Sequence, residues 1–221
     1  QRGGVTASGT PVFLQLLGSD PELMAANAER AAQLGAPGID LNFGCPAKTV
    51  NRSQGGAALL RSPDLIRSIC ERVRERVPHG TPVTAKIRLG YDTDENFEEI
   101  LDALAAVALT EVTIHARTRR QGYRPPAHWH RLRDARNRLP FPVIANGELW
   151  TPGDIARCAE VSGSSAFMLG RGALCRPDLG AAIRAYYRGE APSSFDWQDA
   201  RELLIHFLEQ NRRLYDPRYA V

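Results

Sequence analysis

The stretch IDLNFGCPAKTVNRSQGG, residues 39–56, decides how the rest of the chain is read. Apolar Ile39 and Leu41 alternate with Asp40 and Asn42, the pattern of a short strand. The pattern stops at Gly44-Cys45-Pro46. Pro46 has no N–H and pushes Cys45 towards an extended conformation, so the strand cannot run through it. A thiol therefore stands at the lip of a strand, on a loop of Gly, Asn, Ser and Lys, where a rigid scaffold commonly presents reactive groups. A free cysteine is more often a small buried residue. Here the polar neighbours Asn42, Lys48 and Asn51, and the backbone freedom of Gly55-Gly56, favour a functional thiol.

Working outward, the same strand-then-helix pattern repeats. Strands are expected over 12–17 (VFLQLL), 39–42, 83–89 (VTAKIRL), 111–115 (EVTIH), 142–146 (PVIAN) and 166–169. Helix openings stand between them at Ser19-Asp20-Pro21-Glu22, Ser62-Pro63-Asp64, Thr151-Pro152-Gly153-Asp154 and Pro177-Asp178. Leu65, Ile66, Ile69, Cys70, Val73 and Val77 keep helical spacing, and two further helices are expected over about 96–109 and 129–139. Six strand–helix units predict parallel strands with helices outside. A closed TIM (β/α)8 barrel needs eight units. The chain begins QRGGVTASGT, without Met, and is expected to be a piece of a longer protein whose first units precede it. A doubly wound open sheet is the alternative, but no G-x-G-x-x-G follows the first strand. The barrel is thus assigned to 1–190. After Pro192-Ser193-Ser194, residues 191–221 are expected to start a small helical domain, with Leu203, Leu204, Phe207 and Leu214 on one amphipathic helix over 197–214.

Composition narrows the class. The chain has 221 residues, 43% of them hydrophobic, and no run long enough to span a membrane. A signal peptide is not expected, no C-x-x-C is present, and the four cysteines (45, 70, 158, 175) are far apart. A metal site and a disulfide framework are therefore not expected, and a cytoplasmic setting is. Net charge is only +3, yet eight Arg between residues 117 and 138 face one acid, Asp134. Such a cluster suits phosphate-backbone binding; a solvated helix face is the competing reading. Lysine occurs only at 48 and 86, which points to places that need a compact ammonium.

Barrel chemistry gathers at the C-terminal ends of the strands. The polar residues there are Gln15; Asn42 and Cys45; Lys86 and Arg88; His115 and Arg117; Asn146, Gly147 and Glu148; Gly170 and Arg171. So many polar groups at one mouth are costly unless they meet a polar ligand. Asn146-Gly147 and Gly170-Arg171-Gly172 end the last two strands, where barrel phosphate sites are built. Lys86 could balance the electron-rich edge of a reduced flavin, and Gln15 could bond the same ring. His115, alone, reads more readily as a satisfied core histidine.

LNFGCPAKTVN followed by Gly-Gly, then AKIRLG, TIHARTRRQGYR, PVIANGE and MLGRGAL, in this order, resemble the tRNA-dihydrouridine synthase family, and most nearly its bacterial C-type branch, which acts on uridine 16 of the D-loop. The resemblance runs from about Val12 to Leu214. It implies an FMN-bearing barrel that reduces a tRNA uridine to 5,6-dihydrouridine at the expense of NADPH. It implies Cys45 as the proton donor to C5 of the uracil. Gln15, Lys86, His115, Asn146, Gly147, Glu148, Gly170 and Arg171 are the implied cofactor contacts. Asn42, Arg88, Arg117, Tyr123 and Arg124 are the implied RNA contacts. A monomer, active on tRNA and poorly active as this piece alone, is expected. The alternatives are an FMN-barrel dehydrogenase of free pyrimidines and a non-catalytic RNA-binding barrel. Ala116 stands where the family commonly has Gly.

Overall fold

The computed structural model describes residues 4–6, 8–191 and 195–216. Its elements are β1 (Leu14–Leu16), α1 (Pro21–Gln33), β2 (Ile39–Asn42), α2 (Lys48–Arg52), a 3-10 helix (Gly56–Arg61), α3 (Pro63–Arg76), β3 (Val83–Arg88), α4 (Phe97–Ala105), β4 (Glu111–His115), α5 (His130–Arg138), β5 (Val143–Asn146), α6 (Pro152–Ser162), β6 (Phe167–Met168), α7 (Arg171–Cys175), α8 (Leu179–Arg188) and α9 (Trp197–Leu214). The six strands form one sheet in sequence order, and every neighbouring pair is parallel. Strand order equal to chain order, with a helical crossover at each step, is the wall of a (β/α)8 barrel.

The helices begin where the sequence supplies donors and acceptors for their ends. Asp20 accepts from the Leu23 N–H at 2.9 Å, with Pro21 at the first helical position of α1. Asp196 caps α9 and is answered by Asp199, whose carboxylate accepts from the Asp196 N–H at 2.9 Å. Ser62 departs from expectation: it precedes Pro63 but makes no side-chain cap bond. The first strand is also shorter than the apolar run 12–17, because only 14–16 pair with β2. The helix α2, inside the loop after Cys45, was not expected; the stretch 48–52 has no apolar periodicity to announce it.

Two compact units emerge, one of residues 1–148 with 157–168, the other of 149–156 with 169–221. This division differs from the expected boundary near 190, since α7 and α8 group with α9. The expected hinge Pro192-Ser193-Ser194 lies outside the described residues.

In the first unit the sheet has two unlike faces. Side chains alternate along a strand. One face carries Ile39, Leu41, Val83, Ala85, Ile87, Val112, Ile114, Val143 and Ala145, all buried. Helix α1 packs on β1 and β2, α5 packs on β5, and α3 packs against both α1 and α4. Ile66, Ile69, Cys70 and Val73 of α3 are fully buried in this layer. The other face carries Gln15, Asp40, Asn42, Thr84, Lys86, Arg88, Thr113, His115 and Asn146, in register across five strands.

Burial of the helical layer gives a direct test. Ile69→Ala removes a fully buried side chain and should cost about 2–5 kcal/mol. Urea titration would show this as a lower midpoint with an unchanged slope.

Candidate active site

Cys45 is held by its loop rather than by its own side chain. Asn42, the last residue of β2, accepts the Gly44 and Cys45 N–H groups on Oδ1, both at 3.0 Å. This Asx turn bends the chain out of the strand. The Cys45 carbonyl in turn accepts the Ala57 N–H at 3.0 Å and Asn51 Nδ2 at 2.9 Å. Gly56 stands against it with φ +61°. A Cβ there would lie 2.9 Å from both the Cβ and the carbonyl oxygen of Cys45. The thiol itself is free and half-buried. Burial pushes the Cys70 thiol far up and that of Cys158 up to about 11, so neither is a ready proton carrier. Cys175 is exposed.

Behind the turn lies a polar row. Gln15 donates from Nε2 to Asp40 Oδ2 at 2.6 Å and accepts Asn42 Nδ2 at 2.8 Å. Thr84 donates to the other oxygen of Asp40 at 2.7 Å. One step further in, Lys86 Nζ donates to Asn146 Oδ1 at 3.1 Å, and Asn146 Nδ2 donates to the Met168 carbonyl at 2.8 Å. Burial, then the nearby Arg88 charge, lower the Lys86 ammonium to about 8, against a weaker opposing pull from Asp40. A cation under this strain is suited to an anionic partner placed above the sheet.

His115, Gly147 and Glu148 form the next group. Gly147, at φ +111°, lies so near His115 that a Cβ would come within 2.8 Å of the imidazole Cδ2. Its carbonyl accepts the Trp129 Nε1–H at 2.9 Å. Glu148, also at positive φ (61°), pairs with the guanidinium of Arg117. Arg117 further donates to the Arg124 carbonyl at 2.7 Å and lies 3.4 Å from His115 Nε2.

Two expected RNA contacts are placed differently. Arg88 is 3% exposed and Arg117 0%. The Arg88 guanidinium donates to the carbonyls of Gly44 at 2.9 Å, Thr118 at 3.2 Å and Gly122 at 2.9 Å. It therefore ties the thiol loop to the Arg-rich loop after β4, and Arg117 ties that loop to the end of β5. Both work as internal clamps, with their charge turned away from bulk water. Asn42 likewise spends both ends of its amide inside the protein. Tyr123 and Arg124 are at the surface, as an RNA contact requires. The Tyr123 ring is 52% exposed and lies 5.3 Å from the Arg88 guanidinium and 5.9 Å from the His115 ring.

The arginine cluster is less uniform than its composition. Arg131 is bound by Asp94, Glu98 and Asp134 at 2.8–3.0 Å, and Arg138 by Asp102 at 2.5 Å. Arg133 and Arg136 donate to the carbonyls of Glu160 and Ser162. Helix α5 is thus stitched to its neighbours by its arginines. Arg119 lies over the Tyr91 ring at 5.0 Å, with Arg61 over the same ring at 3.6 Å. Arg120 and Arg124, with Asp92, Gln121, Pro125, Pro126 and His128, line an open pocket of about 330 Å³.

In the second unit Gly170 precedes α7, and the exposed Arg171 stacks 5.0 Å from the Trp150 ring. Among the described residues no cluster of His, Cys, Asp or Glu could hold a metal ion, and no helix is long and apolar enough to cross a membrane. Sequence reasoning missed Asp40, Thr84 and Trp129. The first two share the polar phase of their strands with Asn42 and Lys86, so the alternation itself held the signal.

Lys86 gives a pH test. Folded Lys86 releases its proton near 8, whereas the unfolded chain holds it to about 10.5. Between those values the unfolded state binds more protons, so raising the pH favours the fold. Relative to Lys86→Met, the wild-type chain should gain stability from pH 8 to 10, read by urea unfolding at each pH.

Known proteins resemble this chain in sequence and in fold. A family model described as dihydrouridine synthase (Dus) matches residues 5–214. The chain is 49% identical to the tRNA-dihydrouridine(16) synthase of Aquipseudomonas alcaligenes, over 99% of this chain and 69% of the relative. It is also 49% identical to the protein of that name from Pseudomonas putida, over 100% and 68%. The old yellow enzyme homologue from Zymomonas mobilis has a related fold, with a TM-score of 0.50 at 14% identity over 81% of this chain and 54% of that one. The strand order, the polar strand ends and the match along nearly the whole sequence lead to one conclusion: the chain is a member of the dihydrouridine synthase family.

Proposed function

We propose that the chain reduces a uridine of tRNA, position 16 in the D-loop, to 5,6-dihydrouridine, using FMN recharged by NADPH. The observation that carries the reading is the Asx turn at Asn42, the cross-strand partner of Lys86, which sets the half-buried Cys45 at the end of β2. The relatives' name supplies the substrate class and the position.

The residues present fit a flavin. Gln15, Lys86 and Asn146 offer amide groups and an ammonium along one face of the sheet, a donor set matched to the polar edge of the ring. Lys86 carries the charge that an anionic ring needs, and burial, then the neighbouring Arg88, lowers its pKa. His115, Gly147 and Glu148 are proposed beside the ribityl chain. Arg171, with Gly170, is assigned to phosphate on the chemistry of a guanidinium. When bound, the reduced flavin supplies hydride to C6 of the uracil.

The protein's part is the proton and the grip. Hydride arrival at C6 leaves an electron pair at C5, conjugated with O4. The Cys45 Sγ–H gives its proton to C5, forming the C–H bond and leaving a thiolate, which water then reprotonates. Arg88, whose charge is felt at Cys45, steadies that thiolate. The uridine must leave its own stack to reach the thiol. Tyr123 is assigned to receive the displaced ring, a role supported by its exposure beside Arg88. Arg120 and Arg124 meet phosphates of the RNA backbone. The reading places this reaction in the cytoplasm and in a single copy of the chain.

Two experiments test it. Cys45→Ala should cut dihydrouridine formation on unmodified tRNA at least 100-fold while flavin absorbance and tRNA retention persist. Turnover equal to wild type would overturn the acid assignment, and a colourless protein that never takes up FMN would overturn the flavin reading. In parallel, Arg120→Ala and Arg124→Ala should each weaken tRNA binding and lower its salt slope by about 1. Arg138→Ala, which removes a guanidinium already tied to Asp102, should leave the slope unchanged.

A further inference from the structure

We propose that Asp40 is a positioning residue: its carboxylate fixes the direction of a hydrogen-bond chain that runs through the side-chain amides of Gln15 and Asn42 and ends on the backbone N–H groups of Gly44 and Cys45. The links are on one face of three adjacent strands. Gln15 of β1, Asp40 of β2 and Thr84 of β3 are direct cross-strand partners, and Asn42 is the next residue along the same face of β2. Thr84 Oγ1 donates to Asp40 Oδ1 at 2.7 Å, and Gln15 Nε2 donates to Asp40 Oδ2 at 2.6 Å. Asn42 Nδ2 donates to Gln15 Oε1 at 2.8 Å, and Asn42 Oδ1 accepts from the N–H groups of Gly44 and Cys45 at 3.0 Å.

The two ends of this chain cannot reverse. An ionised carboxylate only accepts, and a backbone N–H only donates. The two amides between them each have one donating and one accepting end. Only one orientation of each satisfies every link. Turning Gln15 over would face its oxygen to the Asp40 carboxylate and its NH2 to the NH2 of Asn42. Turning both amides over would face the Asn42 NH2 to the two N–H groups of the turn. Asp40 accepts from both Gln15 and Thr84, so an acceptor faces the Gln15 amide and the polarity is set from Asp40 outward. Without that acceptor Gln15, exposed on β1, loses its preferred orientation. The Asx turn then shares its acceptor with no fixed partner.

The consequence for Cys45 is geometric. Its N–H is one of the two terminal donors, so the register of this chain sets where the thiol stands at the lip of β2. Proton delivery depends on such placement to within fractions of an ångström. The link to turnover rests on the proposed role of Cys45; the hydrogen-bond chain can be read without it.

Amide hydrogen exchange at Gly44 and Cys45 is the test, with the α3 amides as a control for the fold. Asp40→Leu removes the acceptor and should speed exchange at both amides at least tenfold. Gln15→Leu breaks the middle link at an exposed position, where loss of the fold is not a concern, and should do the same. Asp40→Asn should stay within twofold of wild type. Its oxygen still serves Gln15, while its NH2 turns to the Thr84 hydroxyl, which can accept as well as donate. Wild-type exchange in Gln15→Leu overturns the proposal. So does Asp40→Asn behaving like Asp40→Leu, since charge and not acceptor direction would then be at work. Turnover on unmodified tRNA, measured on the same variants, separates a failed hydrogen-bond chain from a failed acid assignment: only the exchange readout bears on the former.

Discussion

Polar groups taken out of water must find partners, and the inner face of this sheet obeys that constraint row by row. Parallel strands in sequence order place every second residue on one face, so a polar residue at one strand end meets another across the ladder. Gln15 meets Asp40, Asp40 meets Thr84, Asn42 meets Lys86, and Arg88 meets His115. The apolar phase of the same strands goes to the helices. One sequence alternation thereby builds both the core and the floor of the site.

The loops above that floor are held by buried guanidiniums. Arg88 gathers three carbonyls from two loops, and Arg117 joins Glu148 to the carbonyl of Arg124. Burial lowers the Arg88 pKa, yet a guanidinium keeps its charge, which makes arginine a durable clamp where lysine would titrate. Lys86 shows the contrast: the same neighbourhood brings its ammonium to about 8. The chain thus uses its two cation types for different work, and its near-absence of lysine accords with that.

Much of this was legible beforehand. The strand alternation, the Pro46 stop and the caps at Asp20 and Pro21 are local signals, and local signals survive folding. Cys45, Lys86, Asn146 and Gly147 were singled out because strand ends can be read off the apolar pattern, and the structure does set them at strand ends. What the sequence hid was whether a polar residue is committed. Arg117 and Arg120 look alike in a string of arginines; only the positive-φ turn at Gly147-Glu148 brings a carboxylate to one and not to the other. Helix α5 reads as a basic patch until Asp94, Glu98 and Asp102 arrive from α4 and the loop before it. Asp40 was passed over as the polar half of an alternation, though its partners lie 25 and 44 residues away. Long-range pairing of this kind leaves no mark in a window of ten residues.

The division of the arginines has a consequence for how a large polyanion would be released. Reactant and product of the proposed reaction differ by two hydrogens on one base, while every phosphate stays the same. An electrostatic hold cannot tell the two apart. Had all eight arginines faced solvent, finished molecules would be retained as firmly as fresh ones and the site would clog. With Arg117, Arg131 and Arg138 paired to carboxylates, fewer charges are left to grip a polyanion, the hold is shallower, and discrimination is left to the thiol-bearing mouth, where substrate and product do differ.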